Sequence, residues 1–224
     1  MSDGLGEVAA IILAAGRGTR LMPLVKEFGK PLFVVERERL LGHALRFCEE
    51  FQVHRSVVVA APANQESLSS LAGPTVKITV QREPTGVIDA IRVGLREMHQ
   101  EYTLLLCSDN TFSPEGTWFR DQVSEVQAEL AMATRFFPAE KAMRFTRRQG
   151  ERLLRNQEAP VVNEDGTVEV WLGPVFCRTA QLAKVMSWPA ISLSLEDRFN
   201  GFKKKLFIPM NCADHGVAAE EVMT

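Results

Sequence analysis

A glycine turn carrying two arginines follows the first apolar run of the chain, in Leu13-Ala14-Ala15-Gly16-Arg17-Gly18-Thr19-Arg20-Leu21. Glycine lets a backbone take positive φ and bring its N–H groups up to an anion. Arg17 and Arg20 add fixed positive charge, so the chemistry on offer is phosphate binding. The turn is not a P-loop, because GxxxxGK[ST] is absent. It is not a dinucleotide fingerprint either, since Thr19-Arg20 stands where the third glycine belongs. No acidic residue follows at the ribose-binding distance, which argues against an oxidoreductase. Taken alone, the turn also fits a tight strand-to-helix connection with two solvated arginines. A second reactive group is Asp109, in Ser108-Asp109-Asn110-Thr111-Phe112, directly after the apolar Leu104-Leu105-Leu106-Cys107. An acid at the carboxyl end of a parallel strand stands where α/β sheets bind ligands. The alternative for Asp109 is a helix cap or turn residue. The four cysteines, Cys48, Cys107, Cys177 and Cys212, form no CxxC pair and no zinc spacing, and predict reduced thiols. His215 beside a turn receives no chemical role.

The elements that must carry these groups alternate in type. Residues 8–15 form a continuous apolar run, as in a strand buried on both faces. The pattern then predicts a loop over 16–30, a helix over 38–51 and a strand over 56–61. It continues with a short helix over 64–71, a strand over 76–81, a helix over 86–99 and a strand over 102–107. This rhythm implies an α/β fold, a Rossmann-like, mostly parallel sheet with helices on both faces. Beyond it, 130–137 reads as a strand and 142–172 as hairpins turning at Asn163-Glu164-Asp165-Gly166. Residues 173–177 read as a strand, 181–187 and 192–202 as helices, 206–209 as a strand, and 211–216 as a polar turn. One domain is expected over 1–224. Its α/β half is 1–137, and a smaller hairpin-rich half is 138–224, with a cleft between them.

Composition bounds the partners. The 26 basic and 28 acidic side chains leave a net charge of −2, so no basic surplus points to nucleic acid or to a membrane surface. The N-terminus has no basic region ahead of its short apolar run. No stretch of about 18 apolar residues occurs. A cytoplasmic protein is expected, and its oligomeric state is left open.

The stretch from Gly16 to Leu32, GRGTRLMPLVKEFGKPL, resembles the signature GxGTRLxPLTxxxPKPL of the nucleoside-diphosphate-sugar pyrophosphorylases, the sugar-1-phosphate nucleotidyltransferases. Within that family the chain is most similar to the glucose-1-phosphate thymidylyltransferase branch, in a short form. Val25 stands where threonine is usual and Gly29 where proline is usual. Glu36-Arg37-Glu38-Arg39 replaces Gly-Gly-Arg/Lys-Pro. Gln81-Arg82-Glu83-Pro84-Thr85-Gly86 is similar to the family's base-contacting Gln-x4-Gly. Ser108-Asp109-Asn110 is similar to its GDN segment, and Cys212-Ala213-Asp214-His215-Gly216 to its W-x-D-x-G. Asn156-Gln157-Glu158-Ala159-Pro160 is similar to its E-E-K-P, and Gly173-Pro174-Val175-Phe176 to a strand of its acceptor site. The resemblance is tight over 8–112 and looser over 140–220.

That resemblance implies transfer of a nucleoside monophosphate from an NTP (dTTP, CTP or UTP) to a phosphorylated small molecule, a sugar 1-phosphate, with release of pyrophosphate. Leu13, Ala14, Ala15, Gly16, Gly18, Thr19, Gln81, Pro84, Gly86 and Ser108 would bind the nucleotide. Arg20 would hold the β,γ-phosphates and Lys30 the α-phosphate. Asp109 and Asp214 would hold Mg²⁺. Asn110, Glu158 and Gly173 would contact the acceptor. Ala159 stands where the family carries the lysine that holds the acceptor phosphate; Arg152, Arg155, Lys203, Lys204 and Lys205 are the other cations available. Two alternatives remain: a cytidylyltransferase for a non-sugar phosphate or phosphonate, and a regulatory protein that binds a sugar nucleotide without turning it over.

Overall fold

Six of the seven residues in Val8–Ala14 are buried, so this strand, β1, needs cover on both of its faces. Alternation sends successive side chains to opposite sides. Ala10, Ile12 and Ala14 pack in one cluster with Leu41, Ala44, Phe47 and Phe119. Ala9 and Ile11 pack in another with Ala90, Ile91, Leu182, Val185 and Phe199. Full burial of an isoleucine such as Ile11 or Ile12 contributes about 2–3 kcal/mol.

The computed structural model describes residues 5–16, 29–83, 85–113, 115–125, 128–143, 145–155, 158–189 and 193–214, the side chains of 211–214 excepted. After β1 come the two-residue strands β2 (Val34–Val35) and β3 (Glu38–Arg39), then α1 (Leu40–Glu50), β4 (Arg55–Ala60), α2 (Gln65–Ser69), β5 (Val76–Val80), α3 (Val87–Leu95) and β6 (Tyr102–Cys107). Next are β7 (Asn110–Ser113), α4 (Gly116–Glu125), β8 (Leu130–Pro138), α5 (Ala139–Ala142), β9 (Thr146–Gln149) and β10 (Arg152–Leu153). The described chain closes with β11 (Thr167–Arg178), α6 (Thr179–Met186), α7 (Leu195–Asn200), β12 (Lys205–Pro209) and β13 (Asn211–Asp214).

Nine strands form the main sheet. β5, β4, β1 and β6 run parallel side by side. β11 lies antiparallel between β6 and β8, and β12 pairs parallel with β8. The expected α/β sheet, mostly parallel and covered on both faces, is therefore the fold. α1 and α4 cover one face, and α3, α6 and α7 the other. Among the described residues no helix is long and apolar enough to cross a membrane.

Several elements differ from the expectation. Residues 116–125, assigned to nothing, form α4, whose buried Phe119 and Val123 sit four residues apart on one helical face. Residues 110–113, assigned to no element after the strand 102–107, and 211–214, expected as a polar turn, pair as the two-stranded antiparallel sheet of β7 and β13. The hairpin arm ending at 172 and the strand 173–177 are one strand, β11. Gly173 and Pro174 look like a break but mark a bulge, where the pairing with β8 shifts register between Trp171 and Val175. The turn at 163–166 is present, with the Gly166 N–H donating to the Asn163 carbonyl at 2.9 Å.

Two polar details shape the loops around the carboxyl end of β1. Asn64, only 5% exposed, donates from Nδ2 to the Ala14 carbonyl at 2.8 Å and accepts the Ala61 N–H at 2.8 Å. It thus clamps the end of β1 across 50 residues of chain. The β2–β3 hairpin turns through Glu36 (φ 52°) and Arg37 (φ 73°), a left-handed pair without glycine. Asn64→Ala is expected to strip both clamps and leave the Ala14 carbonyl unpaired, lowering unfolding free energy by about 1–3 kcal/mol in urea titration. Arg37→Gly relieves left-handed strain, and the net gain of about 0.5–1 kcal/mol raises Tm in a thermal melt.

Candidate functional site

The carboxyl ends of β1 and β6 open onto a cleft of about 400 Å³. The chain runs outward from β1 through β4 and β5, then returns on the other side of β1 as β6. Open α/β sheets bind ligands where strand order reverses in this way, and the volume lies within the range of small-molecule sites. Leu13, Ala14, Ala15 and Gly16 enter the cleft from the end of β1. Lys30 and Pro31 enter from a 3-10 turn, Lys30–Leu32, set by Gly29 at φ 77°. Gln81 follows β5; Gly86, Val87 and Ala90 open α3; Cys107, Ser108 and Asp109 close β6.

Backbone pairing fixes the relative height of these groups. Leu13 lies beside Cys107, and the Ser108 N–H donates to the Leu13 carbonyl at 3.0 Å. Asp109 is then the first side chain past the buried Ser108 and forms an ion pair with Lys30. Their side chains keep 15% (Lys30) and 23% (Asp109) exposure, so solvent screens the pair less than at an open surface. Gln81, only 4% exposed, lies under the opposite wall. Its Nε2 donates to the Gly86 carbonyl at 3.0 Å and to Asp89 Oδ2 at 2.9 Å. Gly86 stands at φ 109° as the N-cap of α3, and among the described residues no atom lies within 4 Å of the place a Cβ would take.

Of the residues singled out from sequence, Leu13, Ala14, Ala15, Gly16, Lys30, Gln81, Gly86, Ser108 and Asp109 therefore share one cleft. Arg17, Gly18, Thr19, Arg20 and Pro84 lie outside the described residues. The side chain of Asp214 also does, but its backbone is described: β13 sets Asp214 opposite the buried Asn110, one residue along from Asp109. Cross-strand neighbours of this kind sit about 4.5–5.5 Å apart. Among the described residues no cluster of three or more His, Cys, Asp or Glu could hold a metal. Asp109 with a second carboxylate still fits Mg²⁺, which takes most of its oxygens from phosphate and water.

The acceptor-side residues are more dispersed. Gly173 (φ 122°) is two residues before Val175, whose partner is Leu105, so it lies toward the carboxyl end of β6. Glu158 does not line the cleft; Arg152 Nη2 meets its Oε1 at 2.8 Å, and the Arg155 N–H donates to its Oε2 at 2.7 Å. That backbone N–H holds the Glu158 carboxyl below its usual range. Arg155 itself pairs with Asp197 at 2.9 Å. Lys205 lies opposite Leu130, at the amino end of β8 and on the far edge of the sheet from the cleft. Lys203, Lys204 and Lys205 are therefore displaced as substitutes for the missing lysine.

Sequence reasoning missed two residues here. Asn64 read as the start of a helix, but its side chain turns away from α2 to the end of β1. Asp89, to which the sequence reading gave no role, lies in the first turn of α3, and its contact with Gln81 distinguishes it. No thiol nucleophile emerges from Cys48 or Cys177: burial pushes the Cys48 thiol up to about 12 and raises Cys177 as well.

The chain has relatives of known description. A glucose-1-phosphate thymidylyltransferase of Neisseria meningitidis serogroup A is 27% identical over 132 residues, 56% of this chain and 45% of that protein. The bifunctional protein GlmU of Mycobacterium marinum is 29% identical over 104 residues, 44% of this chain and 20% of that protein. The chain thus matches less than half the length of either relative. A solved structure described as a glucose-1-phosphate thymidylyltransferase from Bacillus anthracis, in complex with a sucrose, superposes with a TM-score of 0.77. It covers 96% of this chain and 94% of its own at 16% identity, a likeness of fold. The family model for nucleotidyl transferase matches residues 9–145, which span the cleft's Leu13, Lys30, Gln81 and Asp109, and the chain belongs to that family.

Proposed function

We propose that the chain transfers a nucleoside monophosphate from an NTP to a phosphorylated small molecule, a sugar 1-phosphate, and releases pyrophosphate. The supporting observation is the cleft at the β1–β6 switch point, which gathers Gly16, a lysine, an aspartate and a buried glutamine. An acceptor phosphate oxygen attacks the α-phosphorus of the NTP, and the bond from that phosphorus to the β-phosphate's bridging oxygen breaks. The attacking phosphate is largely ionised near neutral pH, so no general base is required. Such a transfer needs positioning and charge neutralisation rather than covalent help.

In this reading the backbone N–H groups of residues 15–16 and Arg20 hold the β,γ-phosphates. Lys30 contacts the α-phosphate and stabilises the charge that grows there in the transition state. Asp109 and Asp214 would hold Mg²⁺, which would supply positive charge to offset that of the phosphates. Without ligand, Lys30 and Asp109 neutralise each other. With ligand, each exchanges that partner for one of opposite charge, so neither is left bare in the cleft. Gln81 and Gly86 face the base. A second reading, in which the acceptor is a non-sugar phosphate monoester or a phosphonate, is favoured by Ala159 and by Glu158 being held between Arg152 and Arg155.

A screen of pyrophosphate release across dTTP, UTP and CTP with candidate acceptors, with and without Mg²⁺, tests the reaction. Turnover with no NTP would refute it. Lys30→Ala and Asp109→Ala each lower the rate by about 10²-fold or more while circular dichroism stays at wild type. Full activity in either variant refutes its assigned role. Gln81→Ala changes the ranking of NTPs more than the maximal rate with the best one, and an unaltered ranking removes Gln81 from base contact.

A further inference from the structure

One side chain in the cleft has its hydrogen-bonding direction set before a nucleotide arrives. The two partners of Gln81 Nε2, the Gly86 carbonyl and Asp89 Oδ2, are both acceptors. Only the nitrogen of the amide can stand between them, which assigns the orientation. A primary amide carries two N–H donors, and both are spent on these partners. Oε1 is then the side-chain atom that Gln81 has left for a ligand in the cleft it lines. Asp89 gives this arrangement its strength, because a hydrogen bond to a carboxylate is about twice as strong as a neutral one. Turning the amide over would point an oxygen at that carboxylate.

We propose that Asp89 is a positioning residue that makes Gln81 an acceptor-only reader of the nucleobase, and that the site thereby selects uracil or thymine over cytosine. The inference rests on the transferase reading. At the centre of the Watson–Crick edge, uracil and thymine carry N3–H, a donor that Oε1 can accept. Cytosine carries an N3 lone pair at the same place, and would leave two acceptors facing each other. A site built to pair with a substrate N–H rejects an analogue that lacks it far more strongly than an apolar pocket rejects a change of shape. Asp89 is the third residue of α3, whose first turn also carries Gly86 as its cap, so one short segment supplies both partners of the amide.

The test is calorimetric titration of the full chain with the Mg²⁺ complexes of UTP, dTTP, CTP and N3-methyl-UTP, repeated on Asp89→Ala and Asp89→Asn. The wild type is expected to bind UTP and dTTP about tenfold or more tighter than CTP and N3-methyl-UTP. Asp89→Ala frees one N–H, lets the amide turn, and brings UTP and CTP to within about threefold. Asp89→Asn keeps an accepting oxygen and retains the preference. A merely structural role would weaken all four ligands alike. Equal binding of UTP and CTP by the wild type, a preference for CTP, undiminished binding of N3-methyl-UTP, or an unchanged ratio in a folded Asp89→Ala overturns the inference. The methylated ligand decides the matter even if Asp89→Ala does not fold. Binding without base preference leaves the transferase reading standing, whereas no binding of any nucleotide removes both.

Discussion

Two parallel strands ending side by side are the constraint from which the site is built. Leu13 and Cys107 are register partners, and the hydrogen bond from Ser108 to Leu13 carries the pairing one residue further. That registry sets Asp109 just beyond the level of Leu13, at the carboxyl end of β1. Alternation makes it exacting, because a slip of one residue would turn Ala10 and Ile12 from one apolar layer to the other. The core therefore decides where the carboxylate stands, and the chemistry inherits a geometry that burial maintains.

Around that frame the polar groups are held in closed pairs. Asn64 ties the carbonyl at the end of β1, Gln81 is gripped by Gly86 and Asp89, and Lys30 meets Asp109. Each pair satisfies groups that a half-buried cleft would otherwise leave costly. The pairs differ in kind. The amide pairs orient, because turning them forfeits bonds that nothing in the cleft replaces. The ion pair is exchangeable, because a phosphate and a divalent cation can each take the place of a partner.

Much of this was legible in the sequence for physical reasons. The run 8–15 had to be a doubly buried strand, and the turn after it carried glycine and arginine in an order with few uses. Residues 76–81 and 102–107 were bounded by chain-breaking or polar residues that made their ends clear, so Gln81 and Asp109 fell at strand termini as expected. What escaped was set by contacts distant in sequence. α4 has a weak apolar stripe, Phe119 and Val123 being its main anchors. β13 is polar and acquires its strand form from pairing with β7. The partner of Gln81 could not be inferred without knowing how the first turn of α3 sits over it, and that Asn64 serves β1 is visible only across 50 residues.

The antiparallel strand β11 has a consequence for how the protein is made. It fills the place beside β6 and joins it to β8, so the edge of the parallel core stays open until residues beyond 167 have been synthesised. An apolar strand with one side unpaired is a template for another chain. During synthesis the strands β1, β4, β5 and β6 are thus complete in composition yet unfinished as a surface. The ribosome must deliver the later strand before the earlier ones are safe from association with their neighbours.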